Sequence, residues 1–177
     1  WPLNRLLEEV ADYQPNYVLL GHSGSTASHN VVVQTVQEIR KAFPEIRIIY
    51  GGVYPSYAFE SILRQVPEID VIVRGEGEKT VVDLISVWEK GADIEQVAGI
   101  AWRRNGEIVV NRPQPAIQNL DEYRPGWELL DWKHYQMFGF DYAAGLQFSR
   151  GCTLTCSYCG QWMFWKKWRH RSPQDIV

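Results

Sequence analysis

Ile46-Arg47-Ile48-Ile49-Tyr50-Gly51-Gly52-Val53-Tyr54-Pro55 begins as an apolar run of strand length and closes on two glycines and a proline. The run reads as a buried strand, the glycine pair as its exit, and Pro55 as the opening of a helix to about Gln65. Upstream, Leu3, Leu6, Leu7 and Val10 fall on one helical face, and Pro15-Asn16 ends that helix. Tyr17 to Leu20 reads as a fully buried strand. A Gly/Ser run, Gly21 to Ser28, leads into a helix to about Ala42 with Val32, Val36 and Ile39 inward. Downstream, Ile69 to Val73 is a third strand that ends in Gly75-Glu76-Gly77-Glu78. The helix after it runs to about Lys90 and stops at Gly91, a C-cap residue. Continuous apolar strands alternating with helices predict an α/β fold with a parallel sheet covered on both faces.

After Gly91 the period changes. Gly99 to Arg103 and Glu107 to Val110 flank Asn105-Gly106, the strongest short hairpin signal. A stretch rich in Pro and aromatics follows, from Asn111 to about Asp141, expected to pack through Tyr123, Trp127 and Trp132. Ala143 to Ser149 reads as a new strand, a cysteine loop follows it directly, and Gln161 onward is again helix-like. The expected organisation is an α/β domain with hairpin over 1–110, a connector over 111–142 and the start of a second domain over 143–177.

Composition narrows the function classes. At 177 residues and 45% hydrophobic content the chain can bury a sizeable core. No run approaches the roughly 18 apolar residues of a membrane helix, and Trp1-Pro2-Leu3-Asn4 is not a signal peptide. The missing initiator Met and the ending at Asp175-Ile176-Val177 suggest a fragment cut at both ends. A net charge of −3 gives no overall reason to expect nucleic-acid binding. The three cysteines lie within eight positions, an odd and tight cluster unlike a secreted disulfide framework. A reducing, cytoplasmic setting and a metal are expected.

The spacing is Cys152-Thr-Leu-Thr-Cys156-Ser-Tyr-Cys159. Three thiolates on one tight loop can reach three corners of one cubane. A 4Fe–4S cluster normally takes four cysteines, so one iron would stay open to a non-protein ligand. The alternatives at this point are a zinc site that adds His170, buried structural thiols, and a redox pair of Cys156 and Cys159.

Phe148-Ser149-Arg150-Gly151-Cys152 through Cys156 and Cys159, with Tyr158 before the last cysteine, resembles the signature of radical S-adenosylmethionine enzymes. Thr153 stands where many members have Pro. The resemblance implies a cluster held by Cys152, Cys156 and Cys159. Its free iron would bind S-adenosylmethionine near Tyr158 and Gly160 and generate a 5′-deoxyadenosyl radical, with electrons from a flavodoxin or ferredoxin. It also implies that residues after Ala143 form the first strand, loop and helix of a (β/α) barrel.

The glycine-rich strand exits are not phosphate loops, for they hold neither Gly-Lys-Ser/Thr nor a G-x-G-x-x-G opening a helix. Read alone, they are as well explained by turns as by a ligand. A Gly-Gly exit followed by Arg-Gly-Glu-Gly-Glu, upstream of such a cysteine loop, resembles the cobalamin-binding domain of one branch of that family. The resemblance implies a partial doubly wound, flavodoxin-like domain. Its cobalamin contacts would be Ser23, Ser25, Thr26, Gly51, Gly52, Val53, Gly75, Glu76 and Gly77. Such domains have five parallel strands and three are legible here, so the first two would precede Trp1. His22 and His29 are not at the position of a cobalt ligand.

Gly160-Gln161-Trp162 to Trp168-Arg169-His170-Arg171 reads first as a barrel helix with aromatics inward and cations in water; nucleic-acid stacking is a weaker reading. The run resembles the anaerobic magnesium-protoporphyrin monomethyl ester cyclases, a cobalamin-dependent group within the family. That resemblance implies a tetrapyrrole substrate and closure of the isocyclic fifth ring of (bacterio)chlorophyll. A cobalamin-dependent radical methyltransferase shares every cofactor motif, and a zinc-stabilised binding module is the alternative outside enzymes.

Overall fold

The computed structural model describes residues 2–22, 27–135, 139 and 145–176. The chain divides into two compact units, Trp1–Pro115 and Ala116–Val177.

The first unit runs α1 (Leu3–Tyr13), β1 (Tyr17–His22), α2 (Ala27–Ala42), β2 (Arg47–Gly52), α3 (Val53–Gln65), β3 (Val71–Val73), α4 (Gly77–Glu89), β4 (Ile100–Arg104) and β5 (Glu107–Val110). The strands form one sheet in the order β1-β2-β3-β4-β5. β1, β2 and β3 are parallel, while β4 and β5 join antiparallel. The hairpin thus extends the parallel sheet. Its turn is of the type the dipeptide announces: Asn105 has φ 52° and Gly106 φ 85°.

Alternation along the strands sorts the core into two layers. Ile48, Tyr50 and Ile72, with Val18 and Leu20, pack against Val10 of α1, Val32, Val36 and Ile39 of α2, and Ile62 and Leu63 of α3. Ile49, Val71, Val73 and Ile100 face Leu84, Val81, Val87 and Trp88 of α4. Each such fully buried aliphatic contributes about 1.5–3 kcal/mol. At the amino edge of the sheet, Asp70 Oδ2 accepts from the Ile48 amide at 2.7 Å and from Arg40 Nη2 at 2.8 Å. Arg103 donates to the carbonyls of Leu63, Pro67 and Ile69.

In this unit one strand expectation fails. β1 is not fully buried: Leu19 is 51% exposed. β1 is the sheet's edge among the described residues, and α4 crosses it only at the amino end. There Tyr17 stacks on Trp88 at 5.7 Å and its hydroxyl donates to Glu89. Among the described residues, the carboxyl half of β1 on that face is left open.

The second unit holds 3-10 turns at Leu120–Glu122, Trp127–Leu129 and Trp132–His134, then β6 (Ser149–Arg150), α5 (Gln161–Trp165), β7 (Arg169–His170) and α6 (Pro173–Ile176). β6 and β7 pair antiparallel, Ser149 with His170 and Arg150 with Arg169. The strand expected over Ala143–Ser149 is therefore only β6; Ala143 and Ala144 lie outside the described residues, and 145–148 are not strand. No parallel neighbour stands beside β6 among the described residues, so its pairing partner is β7. The helix expected from Gln161 stops at Trp165, where Lys166 takes a left-handed φ of 62°. Nor do all the cations of that run face water. Arg169 and Arg171 are buried at 8% and 4% exposure, and their guanidinium groups satisfy backbone carbonyls, most of them in the segment 117–123. Trp127 and Trp132 pack together at 5.7 Å between centroids. Among the described residues, no helix is long and apolar enough to cross a membrane.

Candidate cofactor sites

Two sites emerge, one in each unit. The first lies at the carboxyl ends of β1, β2 and β3, the edge where parallel α/β sheets bind ligands. Gly21 pairs with Gly51, and Gly51 with Val73. Both glycines fall on the face that α4 leaves open, in line with Leu19. Among the described residues, a Cβ on Gly21 would meet the Gly51 carbonyl oxygen at 3.5 Å, and one on Gly51 the Cβ and carbonyl of Val73 at 3.6 Å. Among those residues, the strip in front of these strand ends is thus bare backbone with room for a side chain that the sequence withholds. Such a cradle admits the flat end of a ligand and fits the tail of a cobalamin.

The rim of this cradle is fixed from α3. Ser56 Oγ donates to the Gly52 carbonyl at 2.7 Å and accepts from the Gly75 amide at 2.9 Å. One hydroxyl thereby ties two glycine exits together. Gly52 (φ 114°) and Gly75 (φ 86°) take conformations that glycine adopts without strain. The Ser56 clasp was not legible in the sequence, since a serine one turn into a helix looks like a surface residue.

Among the sequence candidates, Gly51, Gly52, Gly75, Glu76 and Gly77 all lie at this edge. Glu76 is the N-cap of α4 and is buried, and Gly77 begins that helix against Val73. Val53 starts α3 with its side chain in the core, so only its backbone faces the edge. Ser23, Ser25 and Thr26, and the side chain of His22, lie outside the described residues. His29 stacks on Tyr50 at 5.9 Å and packs on Tyr54 at 5.1 Å, with Nδ1 3.3 Å from the Tyr50 hydroxyl. Burial pushes the Tyr50 phenol up to about 12. At the end of β3, Arg74 lies over the Phe59 ring at 4.5 Å, and burial lowers its pKa.

The second site is the cysteine loop. Cys152, Cys156 and Cys159 are free thiols, none spent on a disulfide. The Leu154 amide donates to Cys152 Sγ at 3.4 Å. The Cys156 carbonyl accepts from the Cys159 amide at 3.1 Å and from Trp162 Nε1 at 3.2 Å. The first aromatic of the run after the cysteines therefore braces the loop itself. Gly151, at φ 89°, passes directly against the Lys167 backbone: a Cβ there would lie 2.7 Å from the Lys167 carbonyl carbon. Tyr158 is 91% exposed and Gly160 is the N-cap of α5.

Among the described residues, no three His, Cys, Asp or Glu side chains are gathered closely enough to hold a single metal ion. The zinc site of three cysteines and His170 is therefore not formed in this geometry. A cubane is larger than one ion, and its corner ligands stand farther apart. Three free thiols on one short loop, one of them accepting from the Leu154 amide, are a donor set that fits that larger group.

β7 anchors the loop's far side. Arg171 donates to the Leu120 and Tyr123 carbonyls, both at 2.8 Å, and to Asp175 at 2.6 Å. Arg169 donates to the Ile117, Trp165 and Lys167 carbonyls. Ser172 N donates to Asp121 Oδ1 at 3.0 Å. The segment 117–123 is strapped to the strand that pairs with β6. Sequence reasoning placed these arginines in solvent; two arginines alternating in a short strand were the available signal.

Residues 2–85 match the B12 binding domain family. Along 98% of its length the chain is 48% identical to the anaerobic magnesium-protoporphyrin IX monomethyl ester cyclase of Synechocystis sp. It is 32% identical to that of Rubrivivax gelatinosus. An uncharacterized methyltransferase of Pyrococcus horikoshii is 32% identical over 86% of the chain. The chain spans only about a third of these relatives, 35%, 32% and 34% of their lengths. Among solved structures, the cobalamin-dependent S-adenosylmethionine radical enzyme OxsB superposes with a TM-score of 0.72 at 22% identity, covering 99% of this chain and 25% of that one. The radical S-adenosylmethionine methyltransferase TsrM of Kitasatospora setae gives 0.71 at 16%, covering 99% and 36%. Over residues 2–85 the α/β unit matches the B12 binding domain family, and along nearly its whole length the chain is similar to the anaerobic magnesium-protoporphyrin IX monomethyl ester cyclases.

Proposed function

We propose that the protein is a cobalamin-dependent radical S-adenosylmethionine enzyme that closes the fifth ring of magnesium-protoporphyrin IX monomethyl ester. The observation that carries the reading is the 48% identity to a cyclase over 98% of the chain, cysteine-loop unit included. Cys152, Cys156 and Cys159 hold a 4Fe–4S cluster, and Tyr158 and Gly160 flank bound S-adenosylmethionine. When bound, these two groups supply a carbon-centred radical, the hard chemistry that side chains cannot perform. Gly51, Gly52, Val53, Gly75, Glu76 and Gly77 offer backbone to cobalamin, with Ser23, Ser25 and Thr26 completing the contact. Gly21 shares the cradle and joins that set. Electrons come from a small reductant such as a flavodoxin or ferredoxin.

Cobalamin-dependent radical methyl transfer is the second reading, favoured by the 32% identity to the Pyrococcus methyltransferase. Substrate dependence separates the two. The reconstituted full-length protein is expected to cleave S-adenosylmethionine to 5′-deoxyadenosine faster when the magnesium ester is present. Cys156→Ala abolishes that cleavage. Cleavage retained in Cys156→Ala, or stoichiometric zinc without iron, contradicts the assignment.

A further inference from the structure

The imidazole of His170 serves neither site described above, and it is held as metal-bound histidines commonly are. Nδ1 lies 2.9 Å from the carbonyl oxygen of Arg171. A carbonyl only accepts, so Nδ1 carries the proton and the neutral ring keeps its lone pair on Nε2. An N–H held by a backbone carbonyl is the usual arrangement behind a metal-bound histidine. His170 is exposed, and its ring packs beside Trp168 at 5.1 Å, tilted by 40°. Next to it opens a cavity of about 460 Å³ lined by Phe148, Trp168, His170, Arg171, Pro173 and Ile176. The Arg171 guanidinium is turned away into the carbonyls of Leu120 and Tyr123 and the Asp175 carboxylate. The shelf therefore offers apolar surface and one lone pair. Phe148 and Trp168 are 57% and 48% exposed, open to a flat apolar ring laid against them. His170 pairs with Ser149, three residues before Cys152, so the shelf adjoins the cysteine loop.

We propose that His170 is the axial ligand to the magnesium of the tetrapyrrole substrate, with Trp168 and Phe148 beneath the macrocycle. This rests on the tetrapyrrole reading of the function. A magnesium held in a tetrapyrrole plane takes a further ligand on one side of that plane, and the imidazole lone pair supplies it from the side that rests on Trp168 and Phe148. One nitrogen then holds and centres a substrate that is otherwise gripped by apolar contact.

The test is an anaerobic titration of the full-length protein, without reductant, using magnesium-protoporphyrin monomethyl ester and its metal-free counterpart. Wild type is expected to bind the magnesium ester at least about tenfold more tightly, with a red-shifted Soret band. His170→Gln erases both the preference and the shift. His170→Gly regains them on addition of imidazole. Unchanged iron and cobalamin contents report that the variants are folded. A variant that keeps the shift overturns the proposal. So does a wild type that shows no preference for the magnesium ester, whatever the variants do. A wild type that binds neither ester overturns the tetrapyrrole reading together with it.

Discussion

Gly51 and Gly151 lack a side chain in opposite settings, one open and one closed. The place of a Cβ on Gly51 is open, 3.6 Å from Val73. Gly51→Val is thus expected to fold and to lose cobalamin affinity by at least about tenfold, read by absorbance titration. Cobalamin bound normally by that variant contradicts the cradle. At Gly151 the added carbon collides with the Lys167 backbone and φ is 89°. Gly151→Ala is expected to cost about 2–4 kcal/mol and to abolish iron uptake, measured by iron analysis after reconstitution. Gly51 was legible in the sequence as a strand exit and Gly151 only as part of the cysteine signature, and neither reading separated an open cradle from a closed contact. The distinction depends on what the fold brings opposite each residue, Val73 in one case and Lys167 in the other.

At the scale of elements, the helices and strands of the first unit were legible because each follows one period and each break falls on a Gly or Pro. The Asn105-Gly106 turn carried its own conformation. The second unit was less legible. The run after Cys159 has helical spacing, yet α5 ends at Trp165 because Arg169 and Arg171 find their partners across the fold, in the carbonyls of 117–123. Such tertiary hydrogen bonds leave no local period. Arg171→Met removes one partner of a buried ion pair with Asp175 and strands two carbonyls. It is expected to destabilise the second unit by about 3–5 kcal/mol and to lower cluster content, while cobalamin binding by the first unit persists. Loss of cobalamin and cluster together contradicts that separation. In the first unit, the raised pKa of Tyr50 fixes a pH window. The folded state disfavours the phenolate, so this contribution is complete below the ordinary phenol value near 10. It is lost as pH rises from there through about 12. The stability advantage of wild type over Tyr50→Phe is expected to shrink across that window in denaturant titrations. An advantage independent of pH contradicts the burial of the hydroxyl.

For the whole molecule, the cofactors were more legible than the substrate. In the proposed reading the cysteine spacing follows the cluster it would hold, whereas the proposed shelf is made of ordinary Phe, Trp and His whose convergence depends on the β6–β7 pairing. The chain joins a unit that matches the B12 binding domain family to a loop of three free thiols, and its identity to a cyclase extends over both units. The most direct measurement is product analysis of the full-length protein, loaded with both cofactors, in heavy-oxygen water with reductant. The substrates are magnesium-protoporphyrin IX monomethyl ester and methyl-labelled S-adenosylmethionine. The expected product has the fifth ring closed, with heavy oxygen in its keto group and no methyl label. A tetrapyrrole that carries the labelled methyl group and no new ring contradicts the cyclase and establishes methyl transfer in its place.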